Sequence, residues 1–252
     1  MWSNHINYDS DMRTHQLVLT WIEKQLSDGQ LSVGGRLPAE RTLAEQLAVS
    51  RTSVREAIRI LEAMGVVRAG VGSGPEAGTV VISDPTAALG SALRLHVATQ
   101  HLPVSDIVET RILLETWAAA RAKPDAPELD LAATLLGEMD AVERVARTAD
   151  DFLALDIRFH LALADAAGNA VVSAMMGSLR ESIQGYTARF TANLPDWDAT
   201  ASRLQAEHRE ILAAIRNDDG ARAATLVAAH IEGYYREGGV GRPAEEGPAE
   251  PE

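Results

Sequence analysis

The chain has 252 residues, 46 % hydrophobic but only 4 % aromatic, and a formal net charge of −13. That length suggests two domains, and an aliphatic, aromatic-poor composition favours packed helices over β-sandwiches. The absence of cysteine excludes disulfides, thiolate metal sites and cysteine nucleophiles. The polar, acidic start MWSNHINYDSDMR does not fit a signal peptide, and no apolar run reaches the length of a membrane span. A cytoplasmic location is the expectation.

Residues 13–27 carry Leu17, Val18, Trp21, Ile22 and Leu26 at helical spacing. After Asp28-Gly29 and Gly34-Gly35, Pro38 suits the first turn of a second helix whose apolar face is Leu43, Ala44 and Leu47. The link Ala48-Val49-Ser50 follows, with Ser50 as an N-cap for a helix starting at Arg51. Val54, Ala57, Ile58 and Leu61 line one face of that helix, and Gly65 ends it. The opposite face carries Arg51, Thr52, Ser53, Arg55 and Arg59. One buried face and one short cationic face make a helix-turn-helix, whose second helix enters a major groove. Val66–Arg68 and Thr79–Ile82 read as two short strands around a glycine-rich tip, a wing beside the helices.

The stretch LPAERTLAEQLAVSRTSVREAIRILEAMGVV, with the wing after it, resembles the winged helix-turn-helix of GntR-type transcription regulators. The expected DNA contacts are Arg41, Ser50, Arg51, Thr52, Ser53 and Arg55; the resemblance aligns Arg41, Arg51 and Arg55 with positions that read bases or phosphates, and an arginine fork matches guanine O6 and N7. It also implies an inverted-repeat operator bound by a homodimer, because one recognition helix reads one half-site. The wing tip, Val71 to Ala77, has no Arg, Lys or His and contains Glu76. Groove contact there would rest on backbone N–H groups near Gly72 and Ser73. The acidic total is compatible with DNA binding because the charge is unevenly divided. Residues 1–84 hold 8 basic and 10 acidic side chains, and between Arg36 and Arg68 the count is 6 basic against 4 acidic. Counterion release depends on the charges that meet phosphate, not on the sum.

A domain boundary is expected at Asp84-Pro85, giving a DNA-binding domain over 1–84 and a helical domain over 85–237. The tail 238–252, rich in Gly, Pro and Glu, is expected to be disordered. Helices are expected near 86–101, 104–122, 127–147, 150–167, 170–192, 198–216 and 219–236, separated by Pro and Gly signals. The fold class is therefore mainly α, a winged helix-turn-helix followed by an antiparallel bundle of about seven helices. ETRILLETWAAARA at 109–122, DDFLALDIRFHLALADAAGN at 150–169, and EHREILAAI with AAHIEGYY further on resemble the all-helical FCD ligand-binding domain of the FadR subfamily of GntR regulators.

Asp156 and His160, four apart, project from one helix face. His208 and His230 lie on the last two helices among apolar neighbours, where an imidazole needs a partner. The four could satisfy one another around a single divalent ion, with zinc first and nickel, manganese or iron as alternatives. Asp-x3-His spacing alone is weak; the resemblance supplies the pattern Asp, His, His, His, which falls on Asp156, His160, His208 and His230. His5, His15, His96 and His101 show no such spacing.

Arg111, flanked by Glu109 and Glu115, reads from spacing as one half of a surface salt bridge. The resemblance implies instead that it faces a cavity and meets the carboxylate of an effector near the metal. The resulting expectation is a metabolite-responsive transcription regulator, a repressor, that senses a small organic acid beside a bound metal. The linker at Ser83-Asp84-Pro85 would pass the change to the winged domain. The alternative is a metal-dependent enzyme acting on a small carboxylate, since an ion with open positions activates water. The chain has no HExxH and no nucleophile elbow to support it.

Overall fold

A computed structural model describes residues 14–70, 78–141, 148–192, 194 and 196–238. The chain divides into two compact units, with the division between Ala88 and Leu89. In the first, helices α1 (Thr14–Ser27), α2 (Glu40–Leu47) and α3 (Arg51–Ala63) pack around Val18, Ile22, Leu43, Val54, Ala57, Ile58 and Leu61. Strands β1 (Val67–Gly70) and β2 (Gly78–Val81) pair antiparallel, Val67 opposite Val81, and both of these valines join the same core.

Local chemistry sets the turns. Pro38 lies before α2, not in its first turn, because Ala39 is the N-cap. Ala48 ends α2 in the left-handed region at φ 53°. Ser50 caps α3 by accepting from the Ser53 N–H at 3.0 Å. Gly65, at φ +69°, closes the other end, and a Cβ there would run into the backbone carbonyl of Asp84. A third short edge was not expected from sequence. Gly34–Leu37 pairs with β2 through Val81 N to Gly35 O and Leu37 N to Thr79 O, both 2.8 Å. The wing tip, residues 71–77, and the tail beyond Gly238 lie outside the described residues.

The second unit holds α5 (Val104–Ala119), α6 (Glu128–Ala141), α7 (Ala149–Ala166), α8 (Ala170–Ala192), α9 (Trp197–Arg216) and α10 (Gly220–Glu237); α4 (Pro85–Ala98) spans the division. The expected helix starts hold to within a residue, and side-chain caps fix those of α7, α9 and α10. Thr148 and Asp151 form a capping box, and Asp196 and Asp219 each accept from a backbone N–H three residues on. The C-terminal ends of α4 and α5 fall three residues short of expectation. At α5, Ala122 N bonds back to Ala118 O and Lys123 N leaves for Ala166 O. Helix α7 packs against α5, α6 and α8, and α10 against α5 and α9. Phe159, Leu135, Ile183, Ile211 and Ile215 fill the shared core. No helix among the described residues is long and apolar enough to cross a membrane.

Candidate metal centre and DNA-contacting face

Helix α7 turns one face inward, carrying Phe152, Leu155, Phe159, His160 and Leu163. Asp156 and His160 lie on it one turn apart, facing His208 of α9 and His230 of α10, both buried. One ligand atom from each of the four lies within 4.8 Å of all the others. His160 Nε2 to His230 Nε2 and His208 Nε2 to His230 Nε2 are both 3.2 Å. Asp156 Oδ1 is 3.1 Å from His208 Nε2 and 3.6 Å from His160 Nε2. Tetrahedral bonds of roughly 2.0–2.2 Å give donor separations of about 3.3–3.6 Å, close to this spacing.

The protonation pattern gives a second test of fit. His160 Nδ1 lies 2.7 Å from Glu115 Oε2, and His230 Nδ1 lies 2.7 Å from Glu207 Oε2. A carboxylate only accepts, so each Nδ1 donates its hydrogen, and a ring in its neutral form then turns an Nε2 lone pair toward the other. Two facing lone pairs do not make a hydrogen bond; a cation between them satisfies both. The buried His208 Nδ1 has no hydrogen-bond partner, and the ring is held by Phe159, 4.5 Å away between centroids.

Burial pushes His208 down to about 3 against its hydrogen bond to Asp156, with His230 and His160 adding to the depression. Burial also lowers His230, against Glu207. Asp156 behaves oppositely. Burial would raise it, but His160, His208 and Arg180 outweigh that and hold it well below the usual carboxylate range. Neutral nitrogens and an ionised carboxylate are the states in which these groups ligate a metal. The donor set thus suits a divalent ion, which Asp156, His160, His208 and His230 could hold.

Arg111 and Glu115 fall within the buried stripe of α5, between Ile107 and Ala118. The surface salt bridge read from spacing is therefore corrected in its location. Arg111 Nε donates to Glu115 Oε1 at 3.0 Å, but both side chains are buried, and Arg111 NH1 also donates to the Tyr235 hydroxyl at 2.6 Å. A cavity of about 580 Å³ opens beside the four-residue cluster, and Arg111, Arg180, Asp156, His230, Tyr234 and Tyr235 are among the residues lining it. Burial lifts the Tyr234 hydroxyl to about 12, partly offset by its hydrogen bond to Thr191.

Three site residues escaped the sequence reading. Arg180 of α8 is buried and donates to Asp156 Oδ2 at 2.9 Å and to both oxygens of Glu115. Its signal was a lone arginine between Leu179 and Ile183 in an apolar helix. Glu115 was noted only as a flank of Arg111. Glu207, next to His208 on α9, reaches across to His230 on the next helix.

On α3, Arg51, Thr52, Arg55 and Arg59 are exposed. Ser53 is not, which corrects its place on the outer face. It is 8 % exposed, and its hydroxyl lies 2.7 Å from Thr14 Oγ1 and 2.9 Å from Ser50 Oγ. Ser50 is occupied as the cap. Arg55 Nε donates to Glu40 Oε2 at 2.7 Å, Arg51 lies 3.8 Å from the same oxygen, and Arg41 lies 3.7 Å from Glu45. Exposed pairs of this kind are worth about 0–1 kcal/mol, so they cost little to break.

Comparison with known proteins matches residues 16–76 to the family described as bacterial regulatory proteins, gntR family, and residues 106–233 to the FCD domain. The chain is a GntR-family transcription regulator with an FCD domain. It is 31 % identical to the HTH-type transcriptional regulator LutR of Bacillus subtilis over 84 % of this chain and 98 % of that protein. It is 30 % identical to the putative L-lactate dehydrogenase operon regulatory protein of Escherichia coli, covering 83 % and 80 % respectively. The structure of Streptococcus agalactiae GntR superposes with a TM-score of 0.60 at 26 % identity, over 89 % of this chain and 99 % of that one. The family and these relatives are DNA-binding regulators rather than enzymes, and the metalloenzyme alternative is set aside on that ground.

Proposed function

We propose that this regulator is a cytoplasmic repressor that senses a small organic acid next to a divalent metal. DNA binding lies in residues 1–84 and sensing in residues 85–237. Asp156, His160, His208 and His230 would hold the metal, zinc first; such an ion supplies open coordination positions that an acid's oxygens can occupy. Arg111, which lines the same cavity, would meet the acid's carboxylate. A homodimer would bring two recognition helices to an inverted repeat, with Arg41, Arg51, Thr52 and Arg55 as the side chains toward DNA.

The observation that carries this reading is the convergence of four donor atoms beside a cavity lined by two of their residues, Asp156 and His230, and by Arg111 and Arg180. A relative named for an L-lactate dehydrogenase operon supports a hydroxy-acid effector class. An acid alters operator affinity only through its difference in affinity between the two states. The test is a thermal-shift series with lactate, glycolate and related acids on zinc-loaded and chelator-stripped chain, followed by operator titration with any acid that binds. Binding that requires zinc and weakens the operator complex is expected. An acid that binds equally without zinc removes the metal from the sensing site, and one that tightens the operator complex removes the repressor reading.

A further inference from the structure

The carboxylate of Glu115 has about four acceptor directions, and every one has a donor pointed at it. Oε2 receives His160 Nδ1 at 2.7 Å and Arg180 NH2 at 3.1 Å. Oε1 receives Arg111 Nε at 3.0 Å and Arg180 Nε at 3.3 Å. Burial would raise this carboxyl, but Arg180, Arg111 and His160 together hold it well below the usual range. Arg180 then continues to Asp156 Oδ2 at 2.9 Å, while Oδ1 of the same carboxylate faces the histidines. Two of the four candidate ligands, both on α7, are thus oriented through one carboxylate on α5, the helix that also bears Arg111.

Glu207 provides an internal contrast. It holds the His230 tautomer in the same way, but its other partner is Arg203 at 2.7 Å, and it is half-buried at the edge of the site. It ties no cavity guanidinium to a ligand.

We propose that Glu115 is a positioning residue that couples Arg111 to the metal centre, so that the guanidinium facing the cavity and the ligand His160 respond to each other. The proposal rests on the metal reading above. Physically, Glu115 fixes His160 as its Nδ1–H tautomer and leaves Nε2 bare for the ion. Any pull on Arg111 from the cavity changes what Oε1 accepts, and with it the orientation and basicity that Oε2 offers His160. By linkage, an ion on His160 changes how Arg111 is held. A glutamine at 115 presents one amide donor where only acceptors fit, so either His160 adopts the other tautomer or an arginine loses its partner.

The experiment uses the full-length chain, zinc alone as the probe, and competition against a chromophoric chelator. Glu115→Gln is expected to weaken zinc binding about 10- to 100-fold, the usual cost of losing a ligand's hydrogen-bond partner. Arg111→Lys, which removes the fork but keeps the charge, is expected to weaken zinc binding by about threefold or more in the native background, and to have less than about half that effect beside Glu115→Gln. That non-additivity separates coupling from a merely structural role. If Glu115→Gln alone strands Arg111 and Arg180 and fails to fold, the charge-balanced Glu115→Gln/Arg180→Gln pair carries the same cycle. Strictly additive effects, or unchanged zinc affinity in Glu115→Gln, overturn the coupling while leaving the metal centre standing. A wild-type chain that takes up no zinc overturns the metal centre, and the coupling with it.

Discussion

The two units handle charge in opposite ways. On α3 and α2 the arginines stand in water, and their contacts with Glu40 and Glu45 are long or exposed. Between α5, α7 and α8, Arg111, Arg180, Glu115 and Asp156 form a network shielded from solvent, with every carboxylate shared. The first arrangement costs little to break and suits a surface awaiting a polyanion. The second is costly to disturb and suits a site whose atoms must already be in place when a ligand arrives.

That difference is sharpest in stability. Arg180→Met should cost about 3–5 kcal/mol, because Glu115 and Asp156 lose a buried partner, whereas Arg55→Ala should stay within about 0.5 kcal/mol. Urea denaturation of both variants decides it, and similar losses would erase the contrast between the units. Next comes metal removal. Zinc at a hundredfold excess over its Kd should stabilise the chain by about 2.7 kcal/mol. Chelation should reverse this, with hydrogen exchange rising in α7, α9 and α10 and not in α1 to α3. Exchange that rises equally in both units would place the metal's effect elsewhere.

On the DNA side, Arg51→Ala should lose about 1–3 kcal/mol of operator affinity with folding unchanged, and a lost phosphate contact would instead reduce the salt slope by about 1. Titrations at several salt concentrations separate base reading from phosphate binding. The smallest effect per step is that of acid on zinc-free chain. His208 is neutral when folded, with its value pushed down to about 3. The unfolded chain therefore binds the extra proton first, from about pH 6.5. Stability is complete above that value and falls toward pH 3, at no more than about 1.4 kcal/mol per pH unit for this group. Denaturation midpoints that stay flat between pH 7 and 4 would mean the ring is not buried neutral.

The parts of the molecule that sequence reveals are those governed by neighbours along the chain. Ser50 and Gly65 mark the ends of α3 because capping is local, and the apolar periodicity of α3 marks its buried face. The Asp156–His160 pair is visible for the same reason. What stayed hidden depends on side chains meeting across helices. Ser53 sits on the outer face by a simple wheel, yet Thr14 from α1 claims its hydroxyl. Glu207 cannot reach its neighbour His208 but does reach His230, and nothing in the spacing says which helix stands beside it. Arg180 and Glu115 look like ordinary helix charges until three helices converge. The pairing of Gly34–Leu37 with β2 was hidden too, since a two-glycine loop gives no strand signal.

The claim on which everything else depends is that Asp156, His160, His208 and His230 enclose one metal ion. Elemental analysis of wild-type chain and His208→Ala, purified without chelator and compared at equal protein concentration, tests it most directly. We expect close to one transition-metal equivalent per wild-type chain and a small fraction of that in the variant. Wild-type protein without stoichiometric metal, or a variant that retains it, would contradict the account.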